Sequence, residues 1–272
     1  MPELPEVETT VRGLEKVLDG QVIRSVELRR ADLRRAFPDD LGQRLTGARV
    51  TGLSRRAKYG LIATDRGDTM IFHLGMSGRW RIDPIDIGAH DHLLLDTEDG
   101  RRLSLNDPRR FGSVDLVATN ELGAWPAFKA LGPEPLGGEI DGHWLKARLA
   151  GRKAAIKLML LDQRIIAGLG NIYVCEALFR ARINPRKAAG KVSLAKLDAL
   201  AEAVPAVLID AIAAGGSTLR DFASPDGELG YFSKQFDVYG REGEPCRGGC
   251  GGAVKRIVQG GRSTFYCPSC QR

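Results

Sequence analysis

With 272 residues, 43% of them hydrophobic and 27% charged, the chain has the make-up of a globular protein long enough for two modest cores. Even its most apolar run, "AVPAVLIDAIAAGG", is interrupted by Pro205 and Asp210, and its start lacks the basic-then-apolar order of a secretory leader; the expectation is a cytoplasmic protein with no membrane partner. The net charge of +6 is concentrated: residues 145–190 carry 10 basic against 2 acidic side chains and residues 241–272 carry 6 against 2, while residues 1–144 carry 20 against 23. Positive charge clustered in this way points to a polyanion such as nucleic acid.

The chain opens "MPELPEVETT". Removal of Met1 leaves Pro2 with a free secondary amine directly beside the carboxylate of Glu3. An α-amino group titrates near about 8, so part of it is neutral and nucleophilic at neutral pH. Apolar residues then fall at Val7, Val11, Leu14 and Leu18, the spacing of one helix face, with Pro5 suited to the first turn and Gly20 to the stop. The end of the chain is thereby placed at a helix N-terminus, whose dipole disfavours protonation of the amine.

From there to about residue 118 the pattern changes to short β-like runs: "QVIRSVEL", "ARVTGLS", "GLIAT", "TMIFHLG", "HLLLDT", "RRLSL" and "SVDLV". "DRGD" and "EDG" between runs read as hairpin turns, and seven or so strands joined this way predict an antiparallel sandwich or barrel. "LGPEPLGGEIDG" marks a boundary at 132–143. Helical sequence follows in "HWLKARLAGRKAAIKLMLLDQ", "NIYVCEALFRARI" and the stretch from "SLAKLDALAEAV" to "AIAA", with Ser193 at the N-cap position and two glycines at the stop.

Four of the five cysteines close the chain: Cys246, Cys250, Cys267 and Cys270. Two close pairs of thiolates suit one tetrahedral structural zinc with no open position for catalysis. Between the pairs, "AVKRIVQ" and "STFY" read as strands joined through "GGR", a metal-stapled hairpin with Arg262 at its tip. Cys175 stands alone in a helix as a small buried hydrophobe.

In this order the motifs resemble the formamidopyrimidine-DNA glycosylases over the whole chain, on "PELPEVET", "RRAKYG", "HLGMSG", "NDPRRFG", "GLGNIYVCEALF" and "GRSTFYCPSC". One departure is the spacing "CRGGC", since the family more often has two residues between its first cysteines. The resemblance implies an α+β multidomain fold. Residues 1–131 form a catalytic β-sandwich domain with a leading helix, and 132–143 a linker. Residues 144–237 form a helical DNA-binding domain with a helix–two-turns–helix motif and a lesion-capping loop at 217–232, and 238–272 a zinc-finger hairpin.

It also implies an enzyme that excises oxidised purines from double-stranded DNA and then cuts the backbone at the abasic site, acting as a monomer in the cytoplasm at the nucleoid. Pro2 becomes the nucleophile, Glu3 its proton carrier, Lys58 a proton donor in elimination, and Arg262 a grip on the flanking phosphates. Met76, Arg109 and Phe111 match the family's trio that fills the gap left by an everted base. Asn171, His90, Arg152 and Lys153 match DNA-contacting positions. Glu6 reads both as a residue near the reaction centre and as a first-turn carboxylate, and His73 as core or as phosphate contact. Two other readings stay open: an endonuclease VIII-like enzyme for oxidised pyrimidines, and a non-enzymatic zinc-containing DNA-binding protein. Leu4, "VET" and the complete trio favour the purine enzyme.

Overall fold

A computed structural model describes residues 1–217 and 232–272, which fall into two units: Met1–Lys129 with a return segment starting at Ala214, and Ala130–Ala213 with Phe232–Arg272. The expected capping loop at 217–232 lies, except for its end residues, outside the described residues.

The first unit begins with α1 (Leu4–Leu18), which buries Val7, Val11, Leu14 and Leu18 as the helical spacing predicts and stops before Gly20, whose φ is 73°. The chain continues through β1 (Ile23–Leu28), α2 (Leu41–Leu45), β2 (Val50–Arg56), β3 (Tyr59–Thr64), β4 (Asp68–His73), β5 (Arg79–Ile82), β6 (Asp91–Thr97), β7 (Arg102–Asn106) and β8 (Ser113–Ala118). Two antiparallel four-stranded sheets result, in the orders β1-β6-β7-β5 and β2-β3-β4-β8. Alternate residues face one core: Met70 and Phe72 from one sheet, Leu93, Leu95, Leu103 and Leu105 from the other, with the apolar face of α1 added. Burying each such side chain is worth about 1.5–3 kcal/mol.

Both hairpin turns read from the sequence are present, with Gly67 and Gly100 at positive φ. β5 was not expected. It is four residues long and reads Arg-Trp-Arg-Ile, too short and too polar for alternation to register, yet its Trp80 is buried edge-on to Phe72. Gly60 lies under the Phe72 ring, where a Cβ would come within 2.1 Å of it, so only glycine lets that ring lie across β3. A short α3 (Pro126–Lys129) completes the unit, with Trp125 and Phe128 packed on Tyr59.

The second unit contains α4 (Gly142–Leu149), α5 (Ile156–Leu160), α6 (Asn171–Arg180), α7 (Leu194–Ala213), β9 (Lys255–Gln259) and β10 (Arg262–Tyr266). α7 packs against α4 and α6. The stretch 143–163, which reads as continuous helix, is broken into α4 and α5 by a turn in which Gly151 takes φ 70°. A residue at that φ is not helical, and glycine adopts it without steric cost, so the helical spacing on either side belongs to two short elements. α7 runs through Pro205 and ends before Gly215 and Gly216, both at positive φ. β9 and β10 pair antiparallel across Gly260–Gly261, whose φ values of 56° and 71° are those of the two-residue turn that matches strand twist. Arg262 is the first residue of β10, opposite Gln259. Among the described residues no helix is long and apolar enough to cross a membrane.

Candidate functional site

In the first unit the start of the chain is not a loose end. Pro2 and Glu3 are buried and only Met1 is exposed, whereas chain termini are ordinarily mobile and solvated. Glu3 occupies the N-cap of α1 and forms a capping box with Glu6, whose Oε2 accepts the Glu3 N–H at 2.9 Å. The other Glu6 oxygen accepts both the N–H and the hydroxyl of Ser217, each at 2.8 Å. Of the two readings of Glu6, what is visible is the structural one: it fastens the first turn of α1 to the return segment.

Lys58 lies on the two-residue turn between β2 and β3, only 7% exposed. The turn is strained, since Ala57 holds φ 53°, which an L side chain rarely adopts. Arg55, at the end of β2, donates to the Ala57 carbonyl at 2.9 Å and to Glu8 of α1 at 3.0 Å. The turn that presents Lys58 is thus tied to the first turns of the helix headed by Pro2 and Glu3.

His73 ends β4 with its ring against Tyr59. Burial first, then the positive charges of Lys58, Arg34 and Arg35, pull its pKa down to about 4. Its Nδ1 accepts the Gly75 N–H at 3.0 Å, so the neutral ring carries its proton on Nε2. A cavity of about 330 Å³ opens here, lined by Arg34, Arg35, Tyr59, His73 and Phe111.

The loops that carry Met76 and the pair Arg109 and Phe111 meet, although 33 and 35 residues separate Met76 from the other two. Met76 lies on the β4–β5 loop, the other two on the β7–β8 loop, and the loops touch at Gly75. A Cβ there would lie 2.3 Å from the Phe111 carbonyl carbon, and its φ is 61°. Arg109 and Phe111 are exposed, with the guanidinium 4.8 Å above the ring. His90 is exposed on the β5–β6 loop.

In the second unit Arg152 and Lys153 are exposed on the turn between α4 and α5. Asn171 starts α6, and its amide nitrogen donates to the Ser263 carbonyl at 2.9 Å and to Tyr239 Oη at 3.3 Å. The expected phosphate donor therefore visibly ties α6 to β10, one residue from Arg262, and its buried Oδ1 has no partner among the described residues. Lys157 and Glu176 escaped the sequence reading. Lys157 is fully buried and donates to the Ser263 carbonyl at 3.2 Å and Thr264 Oγ1 at 2.7 Å. Glu176, also fully buried, accepts the N–H groups of Asp237, Val238 and Tyr239, and burial raises its pKa despite those donors. Arg262 is exposed at the hairpin tip.

The four sulfurs of Cys246, Cys250, Cys267 and Cys270 all lie within 4.8 Å of one another, with Cys246–Cys270 at 3.7 Å and Cys250–Cys267 at 3.5 Å. A tetrahedron with metal–sulfur bonds of about 2.3 Å has edges of about 3.8 Å, so the cage fits one zinc. The Gly252 N–H pulls the Cys250 thiol down to about 7, while Cys270, hydrogen-bonded to Cys250 and desolvated, is pushed up to about 12. Four sulfurs so close cannot all ionise without a dication among them. The glycine pair of "CRGGC" accommodates the longer spacing: Gly249 takes φ 69°, and the Gly248 N–H donates to Cys246 Sγ at 3.3 Å. Cys175 packs with Phe179, Cys246 and Cys267, as a small hydrophobe.

Three family models match the chain: the formamidopyrimidine-DNA glycosylase N-terminal domain over residues 1–114, the formamidopyrimidine-DNA glycosylase H2TH domain over 131–223, and the zinc finger found in FPG and IleRS over 243–272. A formamidopyrimidine-DNA glycosylase of Novosphingobium aromaticivorans is 71% identical over 272 residues, and one of Zymomonas mobilis is 53% identical, each covering all of both chains. Solved structures of Lactococcus lactis Fpg superimpose over 100% of both chains at 35% identity. They include an FPG mutant bound to Fapy-dG-containing DNA and Fpg bound to abasic-site DNA, each with a TM-score of 0.92.

Proposed function

Because the chain belongs to the formamidopyrimidine-DNA glycosylase family, we propose that it excises oxidised purines from damaged double-stranded DNA and then cuts the backbone at the abasic site. The observation that carries this reading is the buried start of the chain, with Pro2 and Glu3 enclosed at the head of α1. After Met1 is removed, the Pro2 amine attacks the sugar C1′ and the bond to the base breaks. Glu3 protonates the opening sugar oxygen, and the base departs with a proton. The resulting iminium acidifies the 2′ hydrogen; its removal expels the 3′ phosphate, and a second elimination expels the 5′ phosphate. Lys58 moves protons in these eliminations.

Met76, Arg109 and Phe111 fill the gap, with the Arg109 fork donating to O2 and N3 of the orphaned cytosine. His90, Arg152, Lys153, Asn171 and Arg262 hold the DNA backbone. Residues 1–131 serve as the catalytic domain, 132–143 as linker, 144–237 as the helical DNA-binding domain and 238–272 as the zinc finger, in a monomer working on the nucleoid. Borohydride reduction during turnover on a duplex with one 8-oxoguanine tests the reading. A protein–DNA adduct mapping to the Pro2 peptide is expected, and efficient trapping by a chain with a blocked terminus overturns it.

A further inference from the structure

Four of the residues assigned to DNA in the first unit lie on three separate loops: Met76 between β4 and β5, His90 between β5 and β6, Arg109 and Phe111 between β7 and β8. The three loops converge on one buried residue, Asp107, two of them on its carboxylate and the third on its backbone. Asp107 has 0% exposure, although Pro108, Arg109 and Arg110 beside it are exposed. Its Oδ1 accepts the Ser77 hydroxyl at 2.8 Å and its Oδ2 accepts the Gly112 N–H at 2.8 Å. Its own N–H donates to the His90 carbonyl at 2.9 Å, and its carbonyl accepts His92 Nε2 at 3.0 Å. Ser77, having given its proton to Asp107, turns a lone pair to the Arg109 N–H at 3.3 Å. There is no slack around this hub: a Cβ on Gly112 would lie 2.8 Å from the His73 carbonyl oxygen and 3.0 Å from Asp107 Oδ2.

Burying a carboxylate is unfavourable unless its acceptor character is needed. Here it is needed twice, because two donors from two loops point at the two oxygens. An amide in its place satisfies only one of them cleanly. With its oxygen toward Gly112, its NH₂ competes with the Arg109 N–H for the Ser77 lone pairs and leaves the Ser77 proton without its acceptor. Flipped, it sets an NH₂ against the Gly112 N–H.

We propose that Asp107 is a positioning residue that sets the height of Arg109 and Phe111 relative to Met76, and through them the discrimination of the base opposite the lesion. It acts through the chain Asp107–Ser77–Arg109 and touches no substrate. This rests on the functional reading above, in which Arg109 reads the orphaned base.

The test compares the unmodified protein with Asp107→Asn, Ser77→Ala and the double variant. Single-turnover excision is measured on duplexes carrying 8-oxoguanine opposite cytosine and opposite adenine. Borohydride trapping is measured on a single strand with a preformed abasic site, which has no partner base to read. Each single variant should lower the cytosine-to-adenine ratio by about tenfold, the equivalent of one lost discriminating hydrogen bond. Trapping on the single strand should stay within about twofold, and the double variant should be no less selective than Asp107→Asn, because both cut one chain. An unchanged ratio in the variants, or a parallel fall of excision and single-strand trapping, overturns the proposal alone. Equal rates opposite cytosine and adenine in the unmodified protein overturn the reading of Arg109 itself.

Discussion

Arg109 and Arg262 are both exposed guanidiniums at the tips of short loops, and they are held out by opposite means. Behind Arg109 stands a sandwich with a shared apolar core from two sheets and a helix, and the loop needs only close backbone packing at Gly75 and Gly112 and the Asp107 hub. Behind Arg262 is a two-stranded ribbon with no second sheet packed on it among the described residues. Two strands alone are marginal in water. A small apolar cluster of Phe179, Val238 and Val254 with the cysteines backs it, and four sulfurs, the Lys157 ammonium and the Asn171 amide add what so small a cluster does not supply. A loop can be aimed by hydrogen bonds where burial already fixes its base; where it does not, a metal and a buried charge must.

The largest effect should come from removing the metal. Cys267→Ser, or a strong chelator, should release the one bound zinc and disorder the hairpin. Structural zinc in such peptides carries about 10–16 kcal/mol of apparent binding free energy. Metal analysis should fall from one zinc per chain to none, and DNA affinity should drop while the thermal transition of the sandwich stays in place. A single transition lowered as a whole would erase the contrast.

Gly75→Ala attacks the other side. It combines a left-handed φ with an overlap on the Phe111 backbone, and should cost about 3–5 kcal/mol by denaturant unfolding while leaving zinc content at one. A cost below about 1 kcal/mol would mean that the loops are not packed as rigidly as the sandwich.

His73 separates the two regions by pH. Its folded pKa of about 4 lies below the unfolded 6.5, so the unfolded state binds the proton first. Its contribution is intact above 6.5 and is lost as pH falls through that value toward 4, up to about 3 kcal/mol in total. His73→Gln should flatten the acid limb of sandwich stability in that window and leave the hairpin's unchanged.

Lys157→Met keeps the length of the side chain but takes the Lys157 donor from Thr264 Oγ1 and leaves the Ser263 carbonyl to the Asn171 amide. It should cost about 1–3 kcal/mol, read as faster amide exchange in β10 at unaltered zinc content. Ala57→Gly should have the smallest effect and the opposite sign. Relief of the left-handed strain should raise stability by about 1 kcal/mol, and activity should fall if that strain is what keeps the Lys58 turn fixed.

Much of both regions is legible in the sequence because it is written locally. The face of α1 follows from a 3.6-residue period, the metal cage from two cysteine pairs, and the hairpin tip from two glycines. The trio at 76, 109 and 111 came from motif resemblance, and the loops that carry it do meet. What was not legible is burial imposed from a distance. Asp107 and Lys157 look in sequence like ordinary surface charges, whereas Glu176 sits in the run "IYVCEALF", apolar around the whole helix, which marks it as enclosed without naming the N–H groups it accepts. β5 was missed because Trp80 is its only fully enclosed residue, and the break between α4 and α5 because Gly151 interrupts a run that otherwise keeps helical spacing.

The bond from Ser217 to Glu6 joins residues 211 positions apart. Translation at about 5–20 residues per second therefore leaves Glu6 without this partner for roughly ten to forty seconds after α1 is made. During that interval the first turn of α1 has its capping box but not its tie to the return segment. The order of synthesis thus gives an aminopeptidase time to reach Met1 before the last fastening of that turn is in place. A chain that stalls before residue 217 lacks the segment that fastens the first turn of its leading helix to the rest of the unit.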